Sequence, residues 1–458
     1  MYDLIIIGAG SAGISAYKQA SKQSQNILII NAGSWDTTCA RVGCMPSKVL
    51  ISTANRFYDA THADEVGLDL NVEFNHKNVM SHVRALRDSY TQSTLDDVLS
   101  WPKEHRVSGQ AHFKNKNTVV VNGQEYQAKS FILAVGSTPN IEEEWKDILK
   151  ERLITSDQVF ELETVPESLA VIGSGAIALE LAQAFTRLGV KTKIFARSKR
   201  IGSLSSPKLQ KLAQDELSQS LDVLFETLPT QVKRVQQKAE LTFEVNNETQ
   251  TEQFDYVLSA TGRNSLLSTL KLENIDKSFN DVKTLPIDKH SKQLADLPIF
   301  VAGDAFTSTP IQHEATHEGR QLVHSCLNYP DIIKNVKTLV PLSIVFSSPE
   351  MAIIGQSHQE LTKQKTDFVT GFVSYEDQGR AKLLGKNQGA VEVYIDKTSR
   401  KLLGAEFFVE SAEHMALLLN WMIGQDIDLD RLLEQPYYHP TLEEGLRTAF
   451  NHAKRQLK

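Results

Sequence analysis

The alternation of apolar and polar residues divides the chain into segments with different predicted structures. Near the N-terminus an apolar run, Leu4–Ile7, precedes a glycine-rich turn, a helical segment from about Ile14 to Ser21, and the apolar run "NILII". A short apolar run bounded by turn signals predicts a buried strand. The same order recurs in mid-chain, with predicted strands at Leu169–Ile172 and Lys191–Phe195 around a helix from about Ile177 to Leu188. The sequence therefore predicts two parallel strand–helix–strand units.

The C-terminal part of the chain follows another pattern. "AVEVYID" (Ala390–Asp396) and "KLLGAEFF" (Lys401–Phe408) alternate as half-buried strands do, and the helical "SAEHMALLLNWMI" follows them. This predicts an antiparallel sheet covered on one side by helices. The polar "VQQKAELTFEVNNETQTEQFDY" predicts a hairpin with an exposed face. The predicted fold class is α/β, with two Rossmann-like domains and a C-terminal α+β domain.

Composition narrows the class of protein. The 458 residues suggest about three domains. A net charge of -7 argues against a nucleic-acid partner, which a basic surface would bind. No apolar run approaches the ~18 to 20 residues that cross a bilayer, and "MYDLIIIGAG" lacks the charged start of a signal peptide. Three cysteines make no secreted disulfide scaffold, so we expect a reducing compartment, the cytoplasm.

The first glycine-rich turn is the first chemical signal. Gly8, Gly10 and Gly13 have GxGxxG spacing between a strand and a helix. Gly8 makes the tight turn, Gly10 lets the backbone approach a pyrophosphate, and Gly13 lets the helix pack on the strand. Asn31 ends the second strand, where an acidic residue usually holds the ribose hydroxyls. An asparagine can also bind a hydroxyl, so we expect a dinucleotide here.

The second unit repeats this fingerprint. Gly173, Gly175 and Ala178 have GxGxxA spacing in the same strand and helix context. Two such units imply two dinucleotides, as expected when electrons pass between a nicotinamide and a flavin.

The end of the second unit bears on the choice of nicotinamide. Ala196 stands where a carboxylate would select NAD, and Arg197, Lys199 and Arg200 follow. Arginines can pair with the 2′-phosphate of NADPH, so the pattern favours NADPH, with a solvated basic turn as the alternative.

Two of the three cysteines, Cys39 and Cys44, lie close together in "TTCARVGCMPSK". Zinc would need about four ligands, whereas Cys326 is isolated and no second pair exists. A structural disulfide is disfavoured in a reducing compartment. The remaining interpretation is a redox-active dithiol. A helix starting near Cys44 or Met45 would stabilise a thiolate, and Lys48 adds a positive charge one turn on.

Together these motifs resemble the flavin-dependent pyridine nucleotide–disulfide oxidoreductases, the group that contains dihydrolipoyl dehydrogenase and glutathione reductase. The resemblance covers essentially the whole chain. It implies that Cys39 is the interchange thiol that reacts with substrate and that Cys44 lies beside the flavin and forms a charge-transfer complex. It also implies FAD as cofactor, with Lys48 near the isoalloxazine and paired with Glu180.

Further motifs of the family follow in order. "AVGSTP", with Gly136, and "ATGRN", with Gly262, each follow an apolar strand. By the resemblance, Gly136 belongs to the flavin site and Gly262 to the nicotinamide site. "IFVAGDAFTSTPIQHEATHEG" matches the second flavin motif, in which Gly303 approaches FAD and Asp304 takes the ribityl hydroxyls.

The C-terminal "YYHPTLEEGL" matches the family's His-Pro-Thr-x-x-Glu pattern at His439 and Glu444. Thiol–disulfide chemistry needs a base near neutral pKa, which a histidine supplies, and a carboxylate orients it. Glu443 is adjacent, and only the spacing of the family's motif indicates that Glu444, not Glu443, orients the histidine ring. The resemblance implies a homodimer in which His439 of one subunit serves Cys39 and Cys44 of the other.

The resemblance also predicts four segments: a first FAD-binding part at 1–145, an NAD(P)-binding domain at 146–263, a second FAD-binding part at 264–335, and a dimerisation domain at 336–458.

The substrate is the least determined property. Ser47 in "CMPSK" and the "HPTLEE" segment resemble the lipoamide group, so we expect dihydrolipoamide and a possible acyltransferase complex as partner. Ala196 with Arg197 favours the alternative, an NADPH-dependent reductase of glutathione or another disulfide. A second alternative is a catalytically inactive FAD-binding protein. A transhydrogenase would not need the dithiol, and mercuric reductase is disfavoured because the C-terminal region contains no vicinal cysteine pair.

Several further positions depart from the family pattern. Asp36 and Thr37 replace a glycine pair, Arg41 replaces an asparagine between the cysteines, and Ala176 stands where glutathione reductases carry an aromatic lid over the nicotinamide. Arg41 favours an anionic substrate or stabilises a thiolate.

Overall fold

The structure, a computed structural model, describes residues 1–306 and 311–457. Part of the second flavin motif, residues 307–310, lies outside this description. In residues 1–140 the elements in chain order are β1 (Tyr2–Ile7), α1 (Ser11–Ala20), β2 (Ile27–Asn31), α2 (Thr38–Arg41), α3 (Cys44–Thr61), α4 (His76–Leu99), β3 (Arg106–Ser108), β4 (Ala111–Asn115), β5 (Thr118–Val121), β6 (Gln124–Leu133) and β7 (Ser137–Pro139).

Residues 141–261 continue with α5 (Glu143–Leu149), β8 (Leu153–Ile154), α6 (Ser156–Val159), β9 (Ser168–Ile172), α7 (Ala176–Arg187), β10 (Lys191–Phe195), α8 (Pro207–Leu217), β11 (Asp222–Leu224), β12 (Gln231–Val235), β13 (Lys238–Val245), β14 (Glu248–Phe254) and β15 (Tyr256–Ser259). Residues 262–338 contain β16 (Arg263–Ser265), β17 (Ile299–Val301) and α9 (Gln312–Leu327).

The C-terminal elements are β18 (Leu342–Val345), β19 (Glu350–Gly355), α10 (His358–Gln364), β20 (Phe368–Ser374), α11 (Gly379–Leu383), β21 (Ala390–Asp396), β22 (Leu402–Val409), α12 (Ala412–Gly424), α13 (Leu429–Glu434) and α14 (Glu444–Gln456). The chain forms two compact units. One contains residues 1–46, 82–140 and 262–338, and the other contains residues 47–81, 141–261 and those from 339 on. The four segment boundaries predicted from sequence stay a prediction.

The first unit is built on one sheet of strand order β3-β2-β1-β6-β5-β4, with β17 also paired to β6. The strands β3, β2, β1, β6 and β17 run parallel. Alternate residues of β1 enter different apolar clusters, Ile5 and Ile7 on one side and Leu4 and Ile6 on the other, because successive side chains of a strand point to opposite faces. Helix α1 packs on one face, and its N-terminus lies at the carboxyl end of β1.

The second unit contains a parallel sheet of order β11-β10-β9-β15-β8, in which α7 crosses from β9 to β10. The predicted hairpin is confirmed as β13 and β14. Its turn residues, Asn246 and Asn247, both have positive φ, which suits a tight hairpin.

The C-terminal sheet of the second unit has the order β18-β19-β22-β21-β20 and is antiparallel throughout. Helices α12 and α14 contribute residues to the same apolar cluster as its strands, among them Met415 and Phe450. The predicted α/β fold class, with two nucleotide-binding sheets and an α+β C-terminal domain, is confirmed.

Candidate active site

The first glycine turn forms a cradle at the start of α1. Gly8 has φ of 105°, and a Cβ there would lie 2.2 Å from the carbonyl oxygen of Ala134. A Cβ on Gly13 would lie 1.9 Å from the carbonyl oxygen of Gly8, so the helix packs directly on the turn. Gly10 caps α1 without a side-chain hydrogen bond, and no described atom lies within 4 Å of its Cβ position. Open space at Gly10 beside an N-terminus without a side-chain cap is an arrangement that fits the pyrophosphate of FAD.

Helix α1 begins at Ser11, three residues before the predicted start near Ile14. The glycine turn ends at Gly10 and the helix begins directly after it. The periodic apolar pattern starts only near Ile14, after the first turn of the helix, and therefore predicted a later start.

The side chain of Asn31 bonds to the backbone of its own loop. Its Oδ1 accepts the N–H of Ala9 at 3.1 Å, and its Nδ2 donates to the carbonyls of Gly33 at 2.9 Å and Ser34 at 2.8 Å. Both amide protons are therefore in use, and only a lone pair of Oδ1 remains for a ribose hydroxyl. The asparagine at this position mainly ties the end of β2 to the glycine turn.

The second flavin motif places a carboxylate near the same sheet. Gly303, with φ of 65°, donates its N–H to Glu318 at 2.9 Å. Burial raises the pKa of the adjacent Asp304, while Arg263 lowers it and Glu318 raises it further. Among the described residues, none donates a hydrogen bond to this half-buried carboxylate. A hydroxyl-rich ligand such as the ribityl chain of FAD fits that acceptor.

The two "ATG"-like segments meet in a small ribbon. Strand β7 pairs with β16, and Arg263 donates to the hydroxyl and carbonyl of Ser137. Gly136 and Gly262 precede these strands, with φ of 70° and 120° and open space at both Cβ positions. Gly262 is the first residue of the segment 262–338, which belongs to the first unit.

The second glycine turn repeats the first at the end of β9. Gly173 has φ of 120°, and a Cβ there would lie 2.4 Å from the carbonyl oxygen of Ala260. Gly175 caps α7 without a side-chain bond and with open space at its Cβ position, and Ala178 is fully buried. Ala176 is the first residue of α7. This turn fits a second dinucleotide.

The three basic residues after β10 differ in their surroundings. Arg200 donates to the carbonyl of Leu204 at 3.1 Å, and Lys199 lies 3.5 Å from Glu226. Arg197 is exposed and makes no ion pair with the described residues, and Ala196 is fully buried. Of these three basic residues, Arg197 is the one whose side chain makes neither an ion pair nor a hydrogen bond with the described residues.

The two cysteines lie in two successive helices. Half-buried Cys39 is in α2, and exposed Cys44 is the first residue of the 18-residue helix α3, one of the two predicted starts. Between them, a Cβ on Gly43 would lie 3.1 Å from the Thr38 carbonyl oxygen and 3.2 Å from the Cys39 Cα. The absence of a side chain at Gly43 lets the chain fold back against Cys39 before Cys44.

Lys48, one turn into α3, forms the predicted pair with Glu180 of α7. Its Nζ lies 2.8 Å from Oε2 of Glu180 and 4.6 Å from the ring centre of Phe346. The other oxygen, Oε1, accepts the N–H of Phe346 at 2.9 Å. The Glu180 side chain is only 8% exposed. Both carboxylate oxygens are therefore committed to fixing Lys48 and the start of the loop after β18.

His439 and Glu444 are also brought together. Nδ1 of His439 lies 3.1 Å from each carboxylate oxygen of Glu444, which is the first residue of α14. The N–H of Thr441 donates to Glu444 at 3.1 Å, and this bond and the histidine lower the pKa of the carboxyl group. The imidazole is 81% exposed, so its Nε2 faces outward. Glu444, not Glu443, is the carboxylate that contacts the ring.

Two supporting residues were missed at the level of sequence. Buried Tyr375 donates to the carbonyl of Leu442 at 2.8 Å, and Gln378 donates to the carbonyl of Thr441 at 2.7 Å. Together they hold the loop that carries His439. Both lie more than sixty positions away in sequence and belong to no motif, so no local signal identifies them.

Residues 1–306 and 311–457 include no cluster of three or more His, Cys, Asp or Glu arranged to hold a metal ion. None of the helices in this part of the chain is long and apolar enough to cross a membrane.

Comparison with known families gives two matches. Residues 2–324 match the family described as pyridine nucleotide-disulphide oxidoreductase. Residues 341–450 match the dimerisation domain of the same family.

Curated relatives match along nearly the whole chain. Dihydrolipoyl dehydrogenase from Geobacillus stearothermophilus is 28% identical over 449 residues, which cover 96% of this chain and 94% of the relative. A mercuric reductase from Staphylococcus aureus is 26% identical and covered over 82% of its length, with 98% of this chain aligned.

Solved structures share the fold. The HOCl-induced flavoprotein disulfide reductase RclA from Escherichia coli superposes with a TM-score of 0.80 at 16% identity, over 100% of both chains. LpdA from Mycobacterium tuberculosis gives 0.82 at 18% identity, over 99% of both chains.

Proposed function

This chain belongs to the pyridine nucleotide-disulphide oxidoreductase family, and on that premise we propose that it oxidises a dihydrolipoyl-type dithiol through Cys39 and Cys44. Its general class is an FAD-dependent enzyme that moves electrons between a nicotinamide and a dithiol or disulfide. The observation that carries the proposal is the placement of the cysteines, with Cys44 opening α3 and Gly43 returning the chain to Cys39.

The position of Cys44 favours the chemistry of a thiolate. The N-terminus of a helix carries a partial positive charge from its unpaired N–H groups, which stabilises a nearby anion. Lys48 lies one turn further along the same helix and adds a full positive charge. In our proposal, Cys44 is therefore the thiol that leaves as a thiolate, and Cys39 is the thiol that exchanges with substrate.

The exchange with substrate proceeds in two balanced steps. A substrate thiol gives its proton to His439, and its sulfur attacks Cys39 in the Cys39–Cys44 disulfide, so that a mixed disulfide forms and Cys44 leaves as a thiolate. The second substrate thiol then gives its proton to Cys39 as its sulfur attacks the first substrate sulfur, which closes the substrate disulfide and releases Cys39 as a thiol, while the first proton stays on His439. Two electrons have passed from substrate to the dithiol.

Glu444 holds the imidazole for this proton transfer. Because the carboxylate contacts Nδ1 through both oxygens, Nε2 is the nitrogen left for the thiol. The exposure of His439 agrees with a pair that is completed by a second subunit, and the dimerisation domain supports a homodimer. We propose that His439 of one subunit serves Cys39 and Cys44 of the other.

FAD, when bound, would supply the two-electron acceptor for the dithiol and the donor for the nicotinamide. Gly8, Gly10 and Gly13 would hold its pyrophosphate and Asp304 its ribityl hydroxyls, with Gly136 and Gly303 at the close approaches. Lys48, held by Glu180, would lie near the ring.

The nicotinamide would bind at Gly173, Gly175 and Ala178, and the resemblance to the family adds Gly262. Arg197 would then pair with a 2′-phosphate, because no carboxylate neutralises it among the described residues. This supports NADPH, with Arg200 as a neighbouring cation whose guanidinium already bonds to a backbone carbonyl.

The test is an anaerobic stopped-flow reduction of the holoenzyme with NADH and with NADPH, followed by reoxidation with lipoamide or oxidised glutathione. Turnover of lipoamide is expected. Reduction by NADPH without lipoamide turnover would contradict the lipoyl proposal and support a second candidate, an NADPH-dependent reductase of another disulfide, which Arg197 favours. Association with an acyltransferase complex is part of the proposal only if lipoamide is turned over.

A further inference from the structure

The segment that leads into the dithiol is locally strained. Thr37 has φ of 63° and ψ of 144°, a region that glycine occupies almost alone. A β-branched residue is strained in this region and adopts it only where the surrounding structure holds it there. Its Oγ1 caps α2 by accepting the N–H of Ala40 at 3.2 Å, which offsets part of this strain. Strain of this kind clusters at functional sites, so its position two residues before Cys39 points to a function.

The neighbouring Asp36 is buried, with only 7% of its side chain exposed, and pairs with Arg41. The Nε of Arg41 lies 3.1 Å from Oδ1 of Asp36, while 43% of the arginine side chain stays exposed. Desolvating a carboxylate is unfavourable, and a pair that is open on one side recovers little of that cost. Stability alone therefore does not explain why Asp36 is buried here.

The need to orient Arg41 explains why Asp36 is buried. A guanidinium has five N–H donors, and Asp36 takes the one on Nε. The donors on the two Nη atoms bond to no described residue. Arg41 lies on the same four-residue helix as Cys39, two positions further on. A buried carboxylate thus fixes a half-exposed arginine that lies two residues after Cys39 on the same helix, which reduces the ordering cost when that arginine binds a ligand.

We propose that Arg41, positioned by Asp36, binds an anionic group of the dithiol or disulfide substrate and so selects substrates that carry a carboxylate or phosphate near their sulfurs. Planar guanidinium groups bind such anions through paired hydrogen bonds. This inference rests on the proposed thiol–disulfide exchange at Cys39.

The test compares matched substrates that differ only in charge. Lipoate and lipoamide share one dithiolane ring, and dithiodipropionate and its diamide share one linear disulfide. We measure kcat/KM for all four with wild type, Arg41→Gln and Asp36→Asn. The control is Arg234→Gln, which removes the same charge from an arginine that pairs with Glu151 in the other compact unit.

In wild type the anionic member of each pair is expected to have the higher kcat/KM. Arg41→Gln should reduce this preference about tenfold, mainly through KM, as loss of one charge-assisted contact implies. Asp36→Asn should reduce it less, because the charge remains but its orientation is lost. Arg234→Gln should leave the preference as in wild type. A preference for the anion in the lipoate pair alone would show that Arg41 selects charged lipoyl-type substrates. A preference in both pairs would show that it selects charged disulfides in general.

Equal loss for charged and neutral substrates in Arg41→Gln, with a shifted pH dependence of the reduced enzyme's long-wavelength absorbance, would overturn the inference and show that Arg41 acts on the thiolates. The inference is also overturned if the wild-type enzyme shows no preference for the anionic member of either pair. A holoenzyme that reduces none of the four substrates contradicts the proposed function itself and is distinguishable from both results.

Discussion

Glu180 accepts one hydrogen bond from Lys48 and one from the backbone of Phe346, and only 8% of its side chain is exposed. Glu180→Gln removes the charge but keeps an oxygen for the Phe346 N–H. Glu180→Ala removes both bonds. The structure therefore predicts a graded loss of stability, with the alanine variant the less stable of the two.

The size of the loss follows from the two contacts. A hydrogen bond to a charged group contributes about 1.5 to 3 kcal/mol and a neutral one about 0.5 to 1.5. Because Lys48 is 35% exposed, we expect the lower part of this range. Glu180→Gln should then cost about 1 kcal/mol, and Glu180→Ala about 1 to 2 kcal/mol more for the unpaired N–H and the lost packing.

A double-mutant cycle isolates the ion pair. Urea unfolding of Lys48→Met, Glu180→Gln and the double variant, compared at equal FAD content, should give a coupling free energy of about 1 kcal/mol. As a matched control, the exposed pair Lys211 and Asp215 should give about 0.3 to 0.5 kcal/mol. Additive effects at Lys48 and Glu180, or equal coupling in both cycles, would refute the claim that the buried carboxylate fixes Lys48.

Three further changes test other parts of the site. Glu444→Gln should lower kcat for disulfide exchange by roughly tenfold to a hundredfold while FAD binding is retained, and an unchanged kcat would contradict the orienting role. Since the Thr441 N–H and the histidine lower the pKa of Glu444 in the fold, its contribution is present at neutral pH and is lost only as the pH falls below the usual carboxyl range. Arg197→Ala should raise KM for NADPH about tenfold and leave KM for NADH nearly as it was, whereas equal effects on both would assign Arg197 to a solvated turn. Gly13→Val should abolish FAD content in the purified protein, because even its Cβ would meet the carbonyl oxygen of Gly8 at 1.9 Å, and a yellow variant would contradict the packing described here.

The elements with a local signature could be predicted from the sequence. Strands β21 and β10 occupy the predicted residues, and the hairpin of β13 and β14 lies within the polar segment that predicted it. The secondary structure of a strongly periodic segment can be predicted from its sequence, because burial of one face sets the spacing of its apolar residues.

Contacts between distant residues had no such signature. Lys48 and Glu180 are 132 positions apart, and only the resemblance to a family predicted that they pair. The ion pair of Asp36 with Arg41, the left-handed Thr37 and the internal bonds of Asn31 depend on backbone geometry that no propensity encodes. Each of these lies at a position where the sequence departs from its family pattern, so the family supplied no guide.

The most direct test of the account is anaerobic reduction of the holoenzyme with its nicotinamide substrate, followed by absorbance at long wavelength in wild type, Cys44→Ser and Cys39→Ser. If Cys44 is the thiol beside the flavin and Cys39 exchanges with substrate, the charge-transfer band appears in wild type, is absent in Cys44→Ser and persists in Cys39→Ser, while both variants lose disulfide turnover. A band that survives in Cys44→Ser, or turnover that survives the loss of either cysteine, would contradict the central claim that these two residues relay the electrons.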